Sequence, residues 1–318
     1  MAQTTGNTSN LIRQELYSQV LLASFDDFVI DQSMFRDYTA EFPDGDTLNI
    51  DQIGDVLWGD YYENTPVDYT AIDTSRLTLT IPEYRQDGFY ITDKLKQDSW
   101  KSDRLFSERI NLSAKRLRED MQSDLFRAAN ASQTPADQNL INAHAHRMAG
   151  SGTGGVITLE DIAYMKLSFD KARVPMTGRV LIMDASQEFV LNTLDANVIN
   201  VDNPMFQGIV NTGFAQNHRF VRNIYGFDIW VSDLLPRIAA ETVNDYAGGA
   251  VALTNAVANI AMCLANDDCM PMMGVMRSTP APEFKRNPDL KRDEWSTTAR
   301  WGYGLQRPES LITLLTPQ

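Results

Sequence analysis

The chain has 318 residues, 43% of them hydrophobic, with 42 acidic against 28 basic side chains and a formal net charge of −14. That is apolar material for one large or two medium cores, and the acidic excess runs against the counterion release that gripping nucleic acid requires, which excludes specific DNA binding. Two cysteines, Cys263 and Cys269, make no disulfide framework, suit a reducing compartment and are assigned to packing. The charge is uneven: residues 1–93 carry 17 acids against 4 Arg and no Lys, a net of −13, whereas residues 94–318 carry 25 acids and 24 bases, a net of −1. This distribution describes an acidic arm attached to a balanced body.

Residues 1–10 are polar, without a secretory pattern, and read as a mobile tail. Leu11, Leu16, Val20 and Leu21 predict a short amphipathic helix over 11–25, suited equally to a core or to a partner. Residues 26–46 read as an extended acidic arm with scattered aromatics, Phe28, Phe35, Tyr38 and Phe42. Alternation at Leu48 and Ile50, and again at Leu77, Leu79 and Ile81, predicts two strands. Between them residues 55–74 hold five acids, three tyrosines and no helical period, too long a loop for a compact domain unless it serves a purpose. Residues 46–93 therefore form a long hairpin that leaves the body and returns. A two-stranded hairpin is marginal alone in water, so it rests on a surface, either its own domain or a neighbouring copy.

Phe106, Ile110, Ala114, Leu117, Met121, Leu125 and Ala128 fit a helix starting at Ser102 and Asp103 and stopping near Asn130, a rod of roughly 40 Å. Its remaining faces carry Arg109, Lys115, Arg116, Arg118 and Arg127, read first as solvated charge. Residues 131–155 read as an irregular connection between two units. Thr158 and Asp161 form a capping box for a helix through Ile162, Met165, Leu167 and Phe169 that closes before Pro175. A buried strand over 179–183, a short helix over 187–194 and two strands folded about Gly226 within 218–232 follow. The uncharged run 246–266 contains Asn255 and Asn259 and is read as buried protein rather than membrane, with a helix over 250–264 leading into a strand. Strands over 272–276 and 294–305, joined by a basic turn at 285–292, and a last strand over 311–315 complete a mixed α+β chain.

Chemistry-bearing patterns are weak. Gly150, Gly152 and Gly155 match G-x-G-x-x-G, but no strand precedes them and a hinge is the expectation. His144 and His146 are two apart, and the remaining histidine is the distant His218, which argues against zinc while leaving a small metal-dependent enzyme as the alternative from another class. The cluster Met262, Met270, Met272, Met273 and Met276 reads as irregular core. There is no G-x-S-x-G, Walker or H-E-x-x-H motif, so neither catalysis nor a cofactor is expected.

Several stretches resemble the major capsid proteins of tailed phages with the Hong Kong 97-like fold. Gly45-Asp46-Thr47-Leu48-Asn49-Ile50 through Ile53-Gly54-Asp55 is similar to the outgoing strand of that family's extended loop. Leu77-Thr78-Leu79-Thr80-Ile81, then Phe89-Tyr90-Ile91-Thr92-Asp93, resembles the return strand and the entry to the spine helix. The run from Arg222 to Ser232, with Leu235-Pro236, resembles an axial-domain hairpin, and Arg307-Pro308-Glu309-Ser310-Leu311 the closing strand. The resemblance covers nearly the whole chain. It implies an N-terminal arm over 1–45, an extended loop over 46–93, a peripheral domain over 94–157 and 271–318, and an axial domain over 158–270. It further implies a non-enzymatic subunit that self-assembles as hexamers and pentamers into an icosahedral shell around double-stranded DNA, with an encapsulin-like protein shell as the alternative. The expected location is the virion capsid, assembled in the host cytoplasm. The chain starts almost directly with the arm, so the expectation is a separate scaffolding protein, with a portal and a possible decoration protein as further partners and no membrane. No lysine precedes Lys94, which puts covalent crosslinking through the loop in doubt.

The charge map adds one expectation. Acidic Asp46, Asp51, Asp55, Asp60 and Glu63 meet basic Lys94, Lys96, Lys101 and Arg104 near the spine, and Lys285, Arg286, Lys291 and Arg292 in the late turn, across subunit contacts.

Overall fold

In the computed structural model, residues 33–41, 45, 47–53, 58–66, 69, 71–72, 74–98, 102–133, 139–193 and 223–318 are described. The helix expected over 11–25 lies outside them.

The centre of the molecule is a seven-stranded mixed sheet ordered β7 (Arg147–Ala149), β17 (Leu311–Pro317), β14 (Ala256–Cys263), β8 (Arg179–Met183), β10 (Phe227–Val231) and β9 (Asn223–Ile224), with β11 (Arg237–Ile238) pairing β14. β8 and β14 are buried at every position. A strand covered on both faces reads as a continuous apolar run, which is why 179–183 was legible. Alternate residues serve opposite faces: Leu181, Met183, Ala261 and Cys263 pack with Ile162, Met165 and Phe169 of α3 (Leu159–Lys171) and Leu191 of α4 (Ala185–Thr193). Val180, Ile182, Ile260 and Met262 pack with Leu125, Phe126 and Ala129 of α2 (Ser102–Gln133). Met262 and Met272 lie in this second core and Met273 in a third, as expected of that cluster. The α3 start carries the expected capping box: the Asp161 amide donates to Thr158 Oγ1 at 3.3 Å and the Thr158 amide to Asp161 Oδ2 at 2.8 Å.

A second, four-stranded sheet runs β1 (Phe35–Asp37), β15 (Met272–Asn287), β16 (Arg292–Leu305) and β4 (Glu83–Thr92). On it stands the expected hairpin, β2 (Thr47–Ile53) paired antiparallel with β3 (Thr74–Thr80). Its root is not free: Leu79 and Ile81 are buried with Tyr38, Met273 and Val275. Gly302 allows this approach, because a Cβ there would lie 2.5 Å from the Thr80 carbonyl oxygen.

Several expectations change. Residues 250–264 hold no helix; β13 (Ala250–Leu253) and β14 are split at Asn255, whose φ of 54° is a turn conformation. The run is apolar all round because both faces of β14 are covered, a pattern periodicity does not resolve. Residues 131–155 are not merely a connection, since β5 (Leu140–Ile141), β6 (His144–Ala145) and β7 lie there and β7 joins the central sheet. With β17 beside it, that sheet crosses the domain boundaries expected at 157/158 and 270/271. The G-x-G-x-x-G loop is no hinge: the Gly152 amide donates to Val156 O at 2.9 Å, the Gly155 amide to Gly152 O at 2.8 Å, and a Cβ on Gly150 would lie 2.3 Å from Gly155 O. The strands over 272–276 and 294–305 extend to 287 and back to 292, leaving a turn of four residues.

The spine helix α2 has 32 residues, near 48 Å at 1.5 Å each, and runs three residues past the expected stop. The Ser132 hydroxyl donates to Ala128 O at 2.7 Å within the helix, and Gln133 Nε2 donates to Leu311 O of β17 at 3.1 Å, so both side chains are satisfied in the longer helix. Its expected apolar stripe is buried only towards the end: Leu125 is 3% exposed, whereas Ile110, Leu117 and Met121 are half-buried and Ala114 is exposed.

Asn259 is wholly buried in β14; its Oδ1 accepts the Asp184 amide at 3.0 Å and its Nδ2 donates to Leu314 O at 3.1 Å and Thr316 Oγ1 at 2.8 Å. Asn259→Ala leaves three buried groups unpaired, for an expected loss of ~2–4 kcal/mol. In urea unfolding the midpoint falls with an unchanged m-value, while Arg76→Ala at an exposed pair changes stability by less than ~1 kcal/mol.

Candidate assembly surfaces

The tip of the β2–β3 hairpin holds the most exposed large apolar side chains among the described residues. Trp58 is 96% exposed, Tyr61 81%, Tyr62 67% and Tyr69 90%. These side chains are largely exposed among the described residues, whereas the root is buried, so the hairpin divides into an anchored half and an exposed half. The same tip carries Asp60 and Glu63, both exposed, and residues 54–73 contain no Lys or Arg. Contiguous exposed aromatics of this kind mark interaction sites.

The expected basic partners fall into two groups. Arg286 forms a bidentate pair with Asp93 at 2.6 and 2.7 Å and reaches Asp293 at 2.8 Å, while Lys96, on α1 (Asp93–Asp98), also pairs with Asp293. Arg292 pairs with Glu294 at 2.6 Å and lies over the Tyr90 ring. The Asp93 amide donates to Lys291 O at 3.0 Å. The turn is thus tied to the β4–α1 junction of its own chain, by acids 193 and 197 positions from their partners, which no sequence spacing reveals. Asp51 likewise pairs with Arg76 across its own hairpin at 3.0 Å. Lys94, Lys285 and Lys291 remain exposed. Arg104 falls in the first turns of α2, and Asp46, Asp55 and Lys101 lie outside the described residues.

Sequence reasoning missed a third feature. Between α2 and the β4–β16 ladder opens a cavity of about 210 Å³, whose lining includes Leu117 and Ala299 together with Arg85, Arg109, Arg116, Asp87 and Asp120. Burial raises the Asp87 pKa, but hydrogen bonds from Ser113 at 2.5 Å and Arg109 at 2.6 Å outweigh it and hold the carboxyl below the usual range. Arg116 bonds Glu119 at 2.9 Å and Asp120 at 3.2 Å on the helix surface. Periodicity placed these arginines on the polar faces of α2 but could not show that a sheet stands opposite.

The two histidines do not converge. The His144 ring faces Tyr164 and the His146 ring faces Phe169, with His146 Nδ1 3.1 Å from the His144 carbonyl. Among the described residues no group of three His, Cys, Asp or Glu is arranged to hold a metal, and no helix is long and apolar enough to cross a membrane.

With this geometry in view, comparison with known proteins is informative at the level of structure alone. No protein-family model matches the chain, and no curated protein does. Solved structures do. The capsid of cyanophage P-SCSP1u is similar with a TM-score of 0.70 and 14% identity, covering 99% of this chain and 95% of that one. A Mycobacterium phage Che8 chain gives 0.66 and 17%, covering 96% and 97%, and the cyanophage Pam1 capsid asymmetric unit 0.64 and 13%, covering 97% of each. The chain therefore has the Hong Kong 97-like α+β fold of phage capsid structures, over nearly its full length, as the sequence resemblance implied.

Two outcomes are expected from this geometry. Arg286→Ala speeds amide exchange at Asp93 and the β15–β16 tip; in the parent chain that protection is present above the ordinary carboxylate pKa near 4 and is lost as pH falls through the lowered values, a dependence the variant loses at Asp93 and keeps at Asp293 through Lys96. Hydrogen exchange across pH 3–6 measures both. His146 is fully buried, and burial lowers its pKa, so its contribution to stability is complete above the unfolded value near 6.5 and shrinks as pH falls below it. Denaturation midpoints between pH 5 and 7 should fall in the parent and stay flatter in His146→Gln.

Proposed function

We propose that this protein is a major capsid protein, a non-enzymatic subunit that self-assembles as hexamers and pentamers into the icosahedral shell of a tailed phage and encloses double-stranded DNA. The observation that carries this is the full-length fold agreement with phage capsid structures, joined to a hairpin whose anchored root and bare aromatic tip leave half of an interface unfilled. Two of the solved neighbours, those of cyanophages P-SCSP1u and Pam1, are themselves capsids. The reading places the protein in the virion capsid after assembly in the host cytoplasm, with a separate scaffolding protein, a portal and a decoration protein as partners. With a net charge of −14, DNA is retained by closure of the shell rather than by adhesion.

Negative-stain images of the purified protein test this: closed shells support it, and isolated globules overturn it. Enclosed DNA, rather than protein cargo, separates the phage shell from an encapsulin-like one. Replacing residues 58–72 by a short turn keeps the seven-residue pairing of β2 with β3 and should give a folded subunit, by circular dichroism, that sediments without stable shells.

A further inference from the structure

Four charged side chains close a ring where the second sheet meets the spine helix. Glu83 and Arg85 stand two apart on β4, and Asp124 and Arg127 stand three apart on α2. Arg127 Nη2 lies 2.6 Å from Asp124 Oδ1 and 2.9 Å from Glu83 Oε1, while Arg85 Nη2 lies 3.1 Å from Glu83 Oε2 and 3.6 Å from Asp124 Oδ2. We propose that this ring is a proton-operated latch: a proton on Asp124 Oδ2 opens it and frees the start of β4 from α2, while the rest of the fold stays closed. The latch belongs to the single chain and needs no second copy.

Residues two apart on a strand share a face and residues three apart on a helix are neighbours, so each element offers the other one acid and one base. The adjoining α2 residues Leu125, Phe126 and Ala129 pack with the central sheet, so this part of the helix is gripped on one side by apolar burial and on the other by charge. The corner at Ile81 and Pro82 is pressed on Gly302, and β4 begins directly after it. Asp124 is the weak member. It is 6% exposed, against 57% for Arg127, and its Oδ2 has no hydrogen-bond partner among the described residues. Burial pushes the carboxyl up and the Glu83 charge adds to this, against the opposing pull of Arg127, Arg85 and the Trp301 indole. Tyr303 on β16 also faces it, with a hydroxyl raised by burial and then by the Asp124 charge. Other carboxyls that fasten the same sheet behave oppositely, since hydrogen bonds hold Asp87, Asp93 and Asp293 below the usual range. A falling pH therefore protonates Asp124 while those ties stay charged. Because its folded pKa is raised, the contribution of Asp124 to stability is complete below the unfolded value near 4 and is lost as pH rises through the folded value. Acid thus opens the latch without weakening the fold through this group.

Hydrogen exchange of residues 83–87 in the full-length subunit, corrected for the pH dependence of intrinsic rates, tests the latch between pH 4 and 7. Protection in the parent should fall about fivefold as pH drops, while β14 stays protected. Asp124→Asn should show the lower protection at every pH, with a urea midpoint equal to or above the parent's, a combination that an ordinary structural ion pair does not give. Arg127→Gln removes a positive charge from the exposed side of the ring and should move the parent's transition to higher pH. Flat protection in the parent, a pH dependence that persists in Asp124→Asn, or a midpoint that falls in that variant overturns the proposal. So does an Arg127→Gln transition at the parent's pH.

Discussion

Everything in this chain is arranged around strands that have no face left for water. β8 and β14 are buried at every residue, so the central sheet needs an apolar cover on both sides, and the two covers differ in kind. α3 and α4 are local to the sheet and packed along their length. α2 contributes Leu125, Phe126 and Ala129 near its C-terminal end, and its earlier turns extend well beyond the core it closes. The spine helix is therefore fixed at one end by hydrophobic burial, while its earlier turns are held to the second sheet by polar contacts such as Arg109 and Ser113 on Asp87. Apolar burial near 25 cal/mol per Å² holds the first end far more firmly than exposed ion pairs hold the other.

What the sequence disclosed followed from that same constraint. The apolar run after Arg179 declared a buried strand over 179–183 and Leu311 to Leu315 a last strand, the capping box at Thr158 located α3, and the alternation at Leu77, Leu79 and Ile81 located the hairpin. The run over 250–264 misled because burial on all sides erases periodicity in helix and strand alike; only Asn255 at positive φ marks the break. The candidate surfaces were half legible. A loop of acids and tyrosines without a core announced an interface, but the partners of Arg286 lie 193 and 7 residues away, and the cavity beneath Arg109 and Arg116 arises where a helix crosses a sheet formed from two remote segments. Sequence spacing reports along one element, not across elements that topology brings together.

Charge plays a different part from packing. Among the described residues the basic turn is engaged within its own chain, by Asp93, Asp293 and Glu294, so it serves first to fix the tip of β15–β16 against the β4–α1 junction. At the hairpin tip Asp60 and Glu63 are exposed and make no ion pair among the described residues. In a protein of net −14 such segregation opposes random association of like surfaces.

The position of β17 bears on how the molecule comes into being. That strand lies between β14 and β7, antiparallel to one and parallel to the other, and neither neighbour can satisfy its backbone on that side without it. The central sheet is therefore incomplete until residue 317 has left the ribosome, however early α2 and α3 form. Pairing over 160 residues, as between Leu315 and Ala149, makes this a slow, late step. A nascent chain exposes its apolar strands until then.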